Sequence, residues 1–333
     1  MSTGKKEMLT LPTVFAINQA LDLAMEKDPT VFLLGEDISD PTGGGVYKAT
    51  QGLSSKHGEH RVRATPISEQ AILGAAIGAA VAGMRPVAEI MMMDFLTVCM
   101  DQLVNHAAKL RYMSGGQTGV PLTVRCSAGA GLQFGAQHST MLESWLIHVP
   151  GLKVAIPSCA ADAKGLLSAC IFDDDPCVHI EQTVNYFVPG LVPSGEHVIP
   201  LGKADIKRPG ADVSLISYGN EVNLCLQAAE NLKAEGVDAE VVDLRTLVPL
   251  DERAVLESVA KTKRAVVVHQ AVRRGGFGAE LSALITENLM GELQAPPVRV
   301  ASPNSPVPYA MELEQAFVPQ VDSIIDGVRR VLK

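Results

Sequence analysis

Residues 65–94 read TPISEQAILGAAIGAAVAGMRPVAEIMMMD, and the rest of the chain is organised around this stretch. The good helix formers between about Gln70 and Ala82 predict a helix, whose first free amides the side chain of Ser68 or Thr65 can cap. Gly83 closes the helical run. Where the stretch resumes after a proline, the apolar residues 87–93 predict a strand.

Glu69 lies at or near the N-terminus of this helix, and its surroundings admit two interpretations. In the first interpretation Glu69 is a solvated acid in the first turn, where the helix dipole favours a negative charge. For an arbitrary acid at such a position this is the more frequent case. A carboxylate held against a nearly apolar surround would instead have a raised pKa and be ready for proton transfer. Gly74 and Gly78 leave one helix face almost bare, so another backbone can approach it closely. Composition alone does not choose between the two interpretations of Glu69.

The composition bounds the class of protein. A length of 333 residues predicts two domains, and 47% hydrophobic with 20% charged residues is typical of a well-packed globular chain. The net charge of −9 without a basic run argues against nucleic acid as a partner. The six cysteines form no CxxC and no zinc-like cluster, so we expect them all to be reduced. With no secretory h-region and an apolar run too short to span a membrane, the sequence predicts a soluble cytoplasmic protein without a membrane partner.

Periodicity along the first part of the chain predicts the alternating elements of a parallel, doubly wound sheet. Residues 95–113 are predicted as one long helix, stopped by Gly115 and Gly116. Residues 129–139, GAGLQFGAQHS, are predicted as a loop whose glycines allow close approach to a ligand. The other predicted elements are helices at 13–27, 141–148 and 160–172 and strands at 31–35, 122–125, 153–157 and 177–181.

A second α/β pattern follows residues 187–202, which are rich in proline and glycine and read as a domain linker. Its predicted strands are 213–217, 239–243, 265–269 and 298–300, and its predicted helices are 221–235, 251–261, 279–290 and one within 313–332. The sequence therefore predicts an α/β fold of two doubly wound domains, at residues 1–190 and 203–333, with a linker at 191–202.

Several motifs that would complete a catalytic site are missing from this chain. It has no GxSxG elbow, no HExxH motif and, in either half, no glycine-rich loop of the kind that binds a cofactor's phosphates. The chain therefore looks as if it supplies only half of a catalytic site. His138 stands in the predicted loop, where a lone histidine is more often structural unless an acidic partner and a cofactor lie nearby. The run Asp173, Asp174 and Asp175 is most simply a solvated turn, although carbonyls and an aspartate at a turn can also hold a monovalent cation.

The order of several motifs is similar to that of a known family. They are GED near Gly35, TPISE at Thr65, DQLVNHAAKxRYMSGG, GAQHS, PGLKVxxPS, DDDP, DLRTLxPLD and HQAxRRGGFGAE, and they run nearly from end to end of the chain. Together they resemble the beta subunit of the thiamine-dependent decarboxylase component of 2-oxo acid dehydrogenase complexes, with transketolase as a more distant relative. The resemblance implies a transketolase-like fold with an N-terminal thiamine pyrimidine-binding domain and a smaller C-terminal domain.

The resemblance also implies roles for three residues. Glu69 resembles the glutamate that hydrogen-bonds ring nitrogen N1′ of the thiamine pyrimidine, which promotes the imino tautomer that removes the thiazolium C2 proton. Phe95 falls where the family places an aromatic ring against the pyrimidine. His138 resembles the histidine that assists acyl transfer to the lipoyl group.

Cofactors and partners are implied in the same way. This chain would hold the pyrimidine end of thiamine diphosphate, whereas an alpha subunit would hold the diphosphate and magnesium within an α2β2 heterotetramer. A lipoyl-bearing acyltransferase core would take the acyl group, and the second domain would mainly support subunit contacts and docking to that core. A structural potassium ion is implied at four positions, partly through backbone carbonyls: Leu122, Cys170, Asp173 and Asp175.

The substrate stays open at this point. Pyruvate and branched-chain 2-oxo acids fit the resemblance, but residues 93–102, MDFLTVCMDQ, and residues 112–116, YMSGG, also resemble beta subunits of acetoin-cleaving complexes. A different alternative is a non-catalytic assembly subunit, against which the presence of both Glu69 and His138 argues. A self-sufficient thiamine enzyme is disfavoured by the missing diphosphate motif. Two departures bear on the substrate: relatives often carry Glu where Gln270 stands, and the segment before QHS varies with substrate.

Overall fold

Strands and helices alternate along both halves of the computed structural model, which describes residues 7–333. The predicted start of the first domain at residue 1 lies outside this range. No helix within it is both long and apolar enough to cross a membrane. The first half contains β1 (Met8–Pro12), α1 (Thr13–Lys27), β2 (Val31–Glu36), α2 (Leu53–His57), β3 (Val62–Thr65), α3 (Glu69–Val81), β4 (Arg85–Met92), α4 (Leu110–Met113), β5 (Thr123–Ala128), α5 (Glu143–Ile147), β6 (Lys153–Ala155), α6 (Ala160–Ile171), β7 (Cys177–Gln182) and β8 (Pro189–Pro193). The second half contains β9 (Asp205–Arg208), β10 (Val213–Ser217), α7 (Glu221–Ala234), β11 (Ala239–Asp243), β12 (Thr246–Val248), α8 (Glu252–Thr262), β13 (Ala265–Val272), α9 (Gly278–Leu289), β14 (Val298–Ser302), α10 (Met311–Phe317) and α11 (Val321–Leu332).

The first sheet has the strand order β12-β6-β7-β5-β4-β2-β3, in which β2 to β7 run parallel. Its central strands β5 and β7 are buried along their whole length, as expected of a parallel sheet covered on both faces. Leu33 and Val87 pack with α1 and α6, whereas the next residues, Leu34 and Ala88, pack with α3 on the other face. Helices on both faces confirm the predicted doubly wound architecture. Outside this sheet, β1 pairs antiparallel with β8.

The second sheet has the order β14-β13-β10-β11-β9, and only its edge strand β9 is antiparallel. Although β12 follows β11 in the chain, it pairs antiparallel with β6 and so extends the first sheet. Buried side chains of both halves also join one hydrophobic cluster, to which α3 contributes Leu73 and α9 contributes Leu281. The two domains are therefore packed together through a shared sheet edge and a shared core.

Helix α3 is the helix predicted from the opening stretch, and it begins at Glu69. The predicted side-chain cap is wrong: Ser68 occupies the N-cap position without a capping hydrogen bond, and the Thr65 hydroxyl is buried without a partner. Gly74 and Gly78 face outward, where a Cβ atom on either would meet nothing within 4 Å. The close backbone approach that these glycines allow is thus not made within the described chain.

The single long helix predicted at residues 95–113 is also wrong. The segment begins directly after β4 as a 3-10 helix, Met93–Cys99, is α-helical at residues 100–101, continues as a π-helix, Gln102–Ala107, and becomes α-helical again in α4. Because β4 leads into it without a loop, its first turns are tight, and the Thr97 hydroxyl donates back to the carbonyl oxygen of Asp94. The π-helical turns then shift the register so that apolar residues still reach the core.

Cys170 and Cys177 form a disulfide between the last turn of α6 and the start of β7, with Cα atoms 5.5 Å apart. The expectation that all six cysteines are reduced is therefore wrong for this pair. The turn between α6 and β7 brings the two residues together, and neither has a sequence motif that indicates pairing. The free cysteines are Cys99, Cys126, Cys159 and Cys225.

A buried ion cluster connects the three central strands of the first sheet. The Arg125 guanidinium on β5 donates to Glu89 on β4 at 2.6 Å and to both carboxylate oxygens of Glu181 on β7, at 2.7 and 2.8 Å. Burial opposes ionisation of Glu181, but the charge of Arg125 and the hydrogen bond from His179 lower its pKa to about 2. Burial raises the pKa of Glu89 in spite of Arg125. The pair of Arg125 with Glu181 is therefore the stronger half of the cluster.

Replacing Arg125 by methionine should destabilise the protein by about 3–5 kcal/mol, because it leaves the Glu181 carboxylate buried without its counter-charge. The free energy of unfolding from urea denaturation measures this loss. Arg253→Met is the control, since it removes an exposed pair with Glu257 and should cost less than about 1 kcal/mol. Equal stability of the two variants would contradict the role given to the cluster.

Candidate active site

The predicted site residues lie at the edge where parallel strands of the first sheet end. Strand β4 leads into the 3-10 helix that carries Phe95, and β5 leads into the loop at residues 129–139 that carries His138. Glu69 follows β3 at the start of α3, which packs against the same 3-10 helix. Ligands of open α/β sheets bind in the crevice outside the carboxyl ends of the strands. The position of these residues is therefore that of a binding site.

Glu69 is a largely buried carboxylate without a partner in the described chain. Only 9% of its surface is exposed, and no hydrogen bond within residues 7–333 reaches its oxygens. Its charge acts on its neighbours: burial and then Glu69 raise the pKa of the Cys99 thiol to about 12, and burial and then Glu69 also raise the pKa of Glu36. A buried acceptor normally has a donor. The Glu69 oxygens keep some accessible surface and have no donor in the described chain, so they are available to accept a hydrogen bond from a ligand.

Phe95 and His138 lie against each other in the structure. Their rings meet edge to face, with centroids 5.3 Å apart and planes at 84°. Asp94, beside Phe95, accepts hydrogen bonds from the backbone amide and the hydroxyl of Thr140, two residues after His138. These contacts join the 3-10 helix after β4 to the loop after β5. The histidine is thus fixed from both sides of the site.

A cavity of about 610 Å³ opens beside His138. Its lining combines polar and apolar surface and comprises Met92, Leu132, Gln133, Phe134, His138 and Tyr309. Tyr309 comes from the second domain, on the segment between β14 and α10. Sequence reasoning missed it, because its only signal is an aromatic residue after a proline in a proline-rich segment. Both domains therefore contribute to the surroundings of His138.

Polar side chains of the two domains meet behind the loop at residues 129–139. Glu221, the first residue of α7, is buried and accepts hydrogen bonds from Nε2 of Gln182 at 3.0 Å and from Nε2 of Gln270 at 3.4 Å. Burial raises the pKa of Glu221 to about 7. A glutamate at position 270 would place a second buried acid beside Glu221. The neutral amide of Gln270 avoids that repulsion and donates a hydrogen bond instead.

The four residues that the family resemblance assigns to potassium do lie around one turn, but their oxygens already have partners. The Asp173 carboxylate contacts the Lys153 ammonium at 2.6 Å through both oxygens, and the Asp175 carboxylate pairs with Arg111. The carbonyl oxygens of Leu122 and Cys170 accept the backbone amides of Cys177 and Asp173. The carboxylates are already paired with the protein's own cations, whereas each carbonyl oxygen keeps a second lone pair that a cation could use. Potassium at this turn stays a prediction.

Two family models match the chain, and together they span most of it. The model described as "Transketolase, pyrimidine binding domain" matches residues 10–188, and the model described as "Transketolase, C-terminal domain" matches residues 202–324. The first covers more than half of the chain and contains Glu69, Phe95 and His138. The second covers the sheet that begins at β9.

Curated relatives match over nearly the whole chain. The beta subunit of acetoin:2,6-dichlorophenolindophenol oxidoreductase from Cupriavidus necator is 46% identical over 96% of both chains. The beta subunit of 2-oxoisovalerate dehydrogenase from Bacillus subtilis is 41% identical, over 97% of this chain and 99% of its own. The mitochondrial pyruvate dehydrogenase E1 component subunit beta-2 from Oryza sativa is 43% identical, over 99% of this chain and 87% of its own.

A solved structure described as "Split gene transketolase, inactive beta4 tetramer" superposes on the chain with a TM-score of 0.77, covering 97% of this chain and 98% of the other. The sequence identity is 23%, so the likeness concerns the fold alone. It agrees with the two-domain, transketolase-like fold predicted from the sequence.

Stability should depend on pH through Glu221. Because its pKa is about 7 in the folded chain against an ordinary value of 4.5, its contribution is full below pH 4.5 and is lost as the pH rises through 7. Between pH 5 and 8 the natural protein should lose about 2–3 kcal/mol of unfolding free energy relative to Glu221→Gln. Urea denaturation across this range measures the difference, with Glu230→Gln, exposed on the same helix, as control. Parallel pH profiles for the natural protein and Glu221→Gln would contradict the assignment.

Proposed function

The chain belongs to the family of beta subunits of thiamine-dependent 2-oxo acid and acetoin dehydrogenase components, and from this membership we propose that it supplies one half of a shared thiamine diphosphate site. The observation that carries the proposal is the carboxylate of Glu69. The residue is nine-tenths buried, its carboxylate lacks a hydrogen-bond partner in the described chain, and it lies in the segment that the pyrimidine-binding model matches. An aminopyrimidine ring nitrogen that shares a proton is the kind of donor such an acceptor lacks.

When bound, thiamine diphosphate supplies the carbanion chemistry by which a bond next to a carbonyl group is cleaved. Glu69 would hold a proton between its carboxylate and the ring nitrogen N1′ of the aminopyrimidine. Its fixed position at the start of α3 makes that hydrogen bond intramolecular within the complex, so little orientational entropy is lost.

Phe95 and His138 would serve the acyl-transfer side of the same site. The Phe95 ring and the imidazole meet edge to face, and an aromatic ring at this position could also pack against a flat ring such as the pyrimidine. His138 borders the cavity that is open to a substrate or to a lipoyl arm, where it would donate or orient a proton during transfer of the acyl group.

An alpha subunit would complete the site. Each of the three relatives described above is named as a beta subunit, which supports a partner chain for this one as well. In the proposed α2β2 assembly the partner holds the diphosphate and magnesium, and a lipoyl-bearing acyltransferase core takes the acyl group. Glu69 would then face the partner across the cofactor.

The substrate is proposed at two levels. The general reaction is decarboxylation of a 2-oxo acid, pyruvate or a branched-chain acid, with reductive acylation of the lipoyl group. Acetoin cleavage is the second candidate, and a specific observation favours it: two relatives with acetoin in their names are 46% and 44% identical to the chain. Both reactions use the same residues of this chain.

Glu69→Gln should leave assembly with the alpha subunit intact and lower turnover by about two to four orders of magnitude, on the scale of general acid–base groups. Turnover is measured on the co-expressed complex with thiamine diphosphate and magnesium. Glu59→Gln is the control, because Glu59 is an exposed acid in the turn before β3. Near-normal turnover of Glu69→Gln would contradict the role proposed for this residue and support a non-catalytic assembly subunit.

The same complex, assayed with an artificial electron acceptor, should turn over one of three substrates offered separately: pyruvate, a branched-chain 2-oxo acid or acetoin. Activity should require both chains, because the site is shared between them. Activity of this chain alone would rule out the shared site. Inactivity on all three, in a stable complex with bound cofactor, would contradict the proposed substrate class.

A further inference from the structure

The loop that carries His138 is held by the second domain and not by its own backbone. Within residues 7–333, the amides of Ala130, Gly131 and Gln133 make no backbone–backbone hydrogen bond. The side chain of Gln270 on β13 binds the backbone of Ala130 through two hydrogen bonds. Its Oε1 accepts the Ala130 amide at 2.8 Å, and its Nε2 donates to the Ala130 carbonyl at 3.3 Å. The amides of Gly131 and Gln133 both donate hydrogen bonds to a single carboxylate.

That carboxylate belongs to Glu314 on α10. Its Oε1 accepts the amide of Gly131 at 2.8 Å, and its Oε2 accepts the amide of Gln133 at 3.0 Å. Glu314 is 3% exposed, and among the described residues no cation pairs with it. A buried carboxylate is costly unless hydrogen bonds satisfy it. The two loop amides are therefore what keeps Glu314 buried, and Glu314 is what keeps those amides together.

The backbone conformation of the loop shows why an anion is needed. Left-handed φ values recur at every second residue: 92° at Gly129, 125° at Gly131, 58° at Gln133 and 73° at Gly135. Successive amides in such a chain point to one side and form a concavity that binds anions. Gln133 has a side chain and still adopts φ of 58°, which costs free energy that its surroundings must offset.

We infer that Glu314 is a positioning residue of the active site: its carboxylate fills the anion-binding concavity of the loop at residues 129–139 and so sets the position of His138. This inference rests on the proposed function, because His138 has a task only there. Through Glu314, the second domain would thus help to position a histidine of the first domain. Tyr309, which lines the cavity beside His138, belongs to the segment that leads into the same helix, α10.

Apolar packing alone does not account for the arrangement. Ala130 packs with Val307 and Phe317 of the second domain, which would hold the loop near α10 without any acid. Such packing does not choose the conformation of Gln133, and it does not require a charged group in a buried position. Glu312 on the same helix shows the alternative, since it is exposed and makes no contact with the loop.

The direct test is amide hydrogen exchange of the full-length chain, read on peptides that cover residues 129–138. In Glu314→Gln, one acceptor oxygen becomes a donor facing the Gln133 amide, so exchange at Gly131 and Gln133 should be at least about tenfold faster, on the scale of a lost hydrogen bond to a charged group. Glu312→Gln is the matched control and should leave exchange unchanged. Unchanged exchange in Glu314→Gln, or acceleration spread evenly over the whole chain, would overturn the inference.

Turnover of the assembled complex tests the positioning role separately. Glu314→Gln should lower turnover with a lipoyl acceptor about tenfold or more, while turnover with an artificial electron acceptor stays within about threefold, because His138 serves acyl transfer. The double variant with His138→Ala should be no slower than His138→Ala alone. Lipoyl turnover equal to that of Glu312→Gln would overturn the positioning role. Inactivity of the unmodified complex would instead count against the proposed function and leave the exchange result to decide on Glu314.

Discussion

The hydrogen bonds of Arg125 to Glu89 and Glu181 fix the three central strands of the first sheet relative to one another. In a parallel sheet a slip of one residue would turn each buried side chain to the other face, and a buried charge pair cannot tolerate that. Everything at the carboxyl edge depends on this register. Strand β4 leads directly into the 3-10 helix that carries Asp94 and Phe95, and β5 leads directly into the loop that carries His138.

The site that results is built from both domains, although all three residues with proposed chemistry belong to the first. The second domain contributes β12 to the first sheet, Gln270 and Glu314 to the loop, and Tyr309 to the cavity. Its hydrogen bonds replace those that an irregular loop cannot make with itself. A loop of this kind can vary in its side chains while its path stays fixed, because the amides are held and the side chains are not.

Much of the fold could be predicted from the sequence, because the spacing of apolar residues indicates helices and strands, and prolines and glycines indicate where these elements end. Helix α1, strand β10 and strand β11 have the predicted bounds, and Glu69 begins α3 as expected. The 3-10 and π turns after β4 could not be predicted, because they depend on how Asp94 and Phe95 meet the neighbouring loop. The Cys170–Cys177 disulfide and the absent cap at Ser68 are likewise outcomes of tertiary placement.

Within the site, sequence motifs indicated Glu69, Phe95 and His138 but gave no sign of Glu314, whose partners are backbone amides more than 180 positions away. The central claim concerns Glu69 as one half of a shared thiamine diphosphate site. The most direct measurement is the structure of the assembled complex of this chain and its alpha partner with thiamine diphosphate bound. We expect a Glu69 oxygen within hydrogen-bond distance of pyrimidine nitrogen N1′, about 2.7–3.2 Å, and the diphosphate on the partner. A cofactor bound wholly by one chain, or a pyrimidine ring away from Glu69, would contradict it.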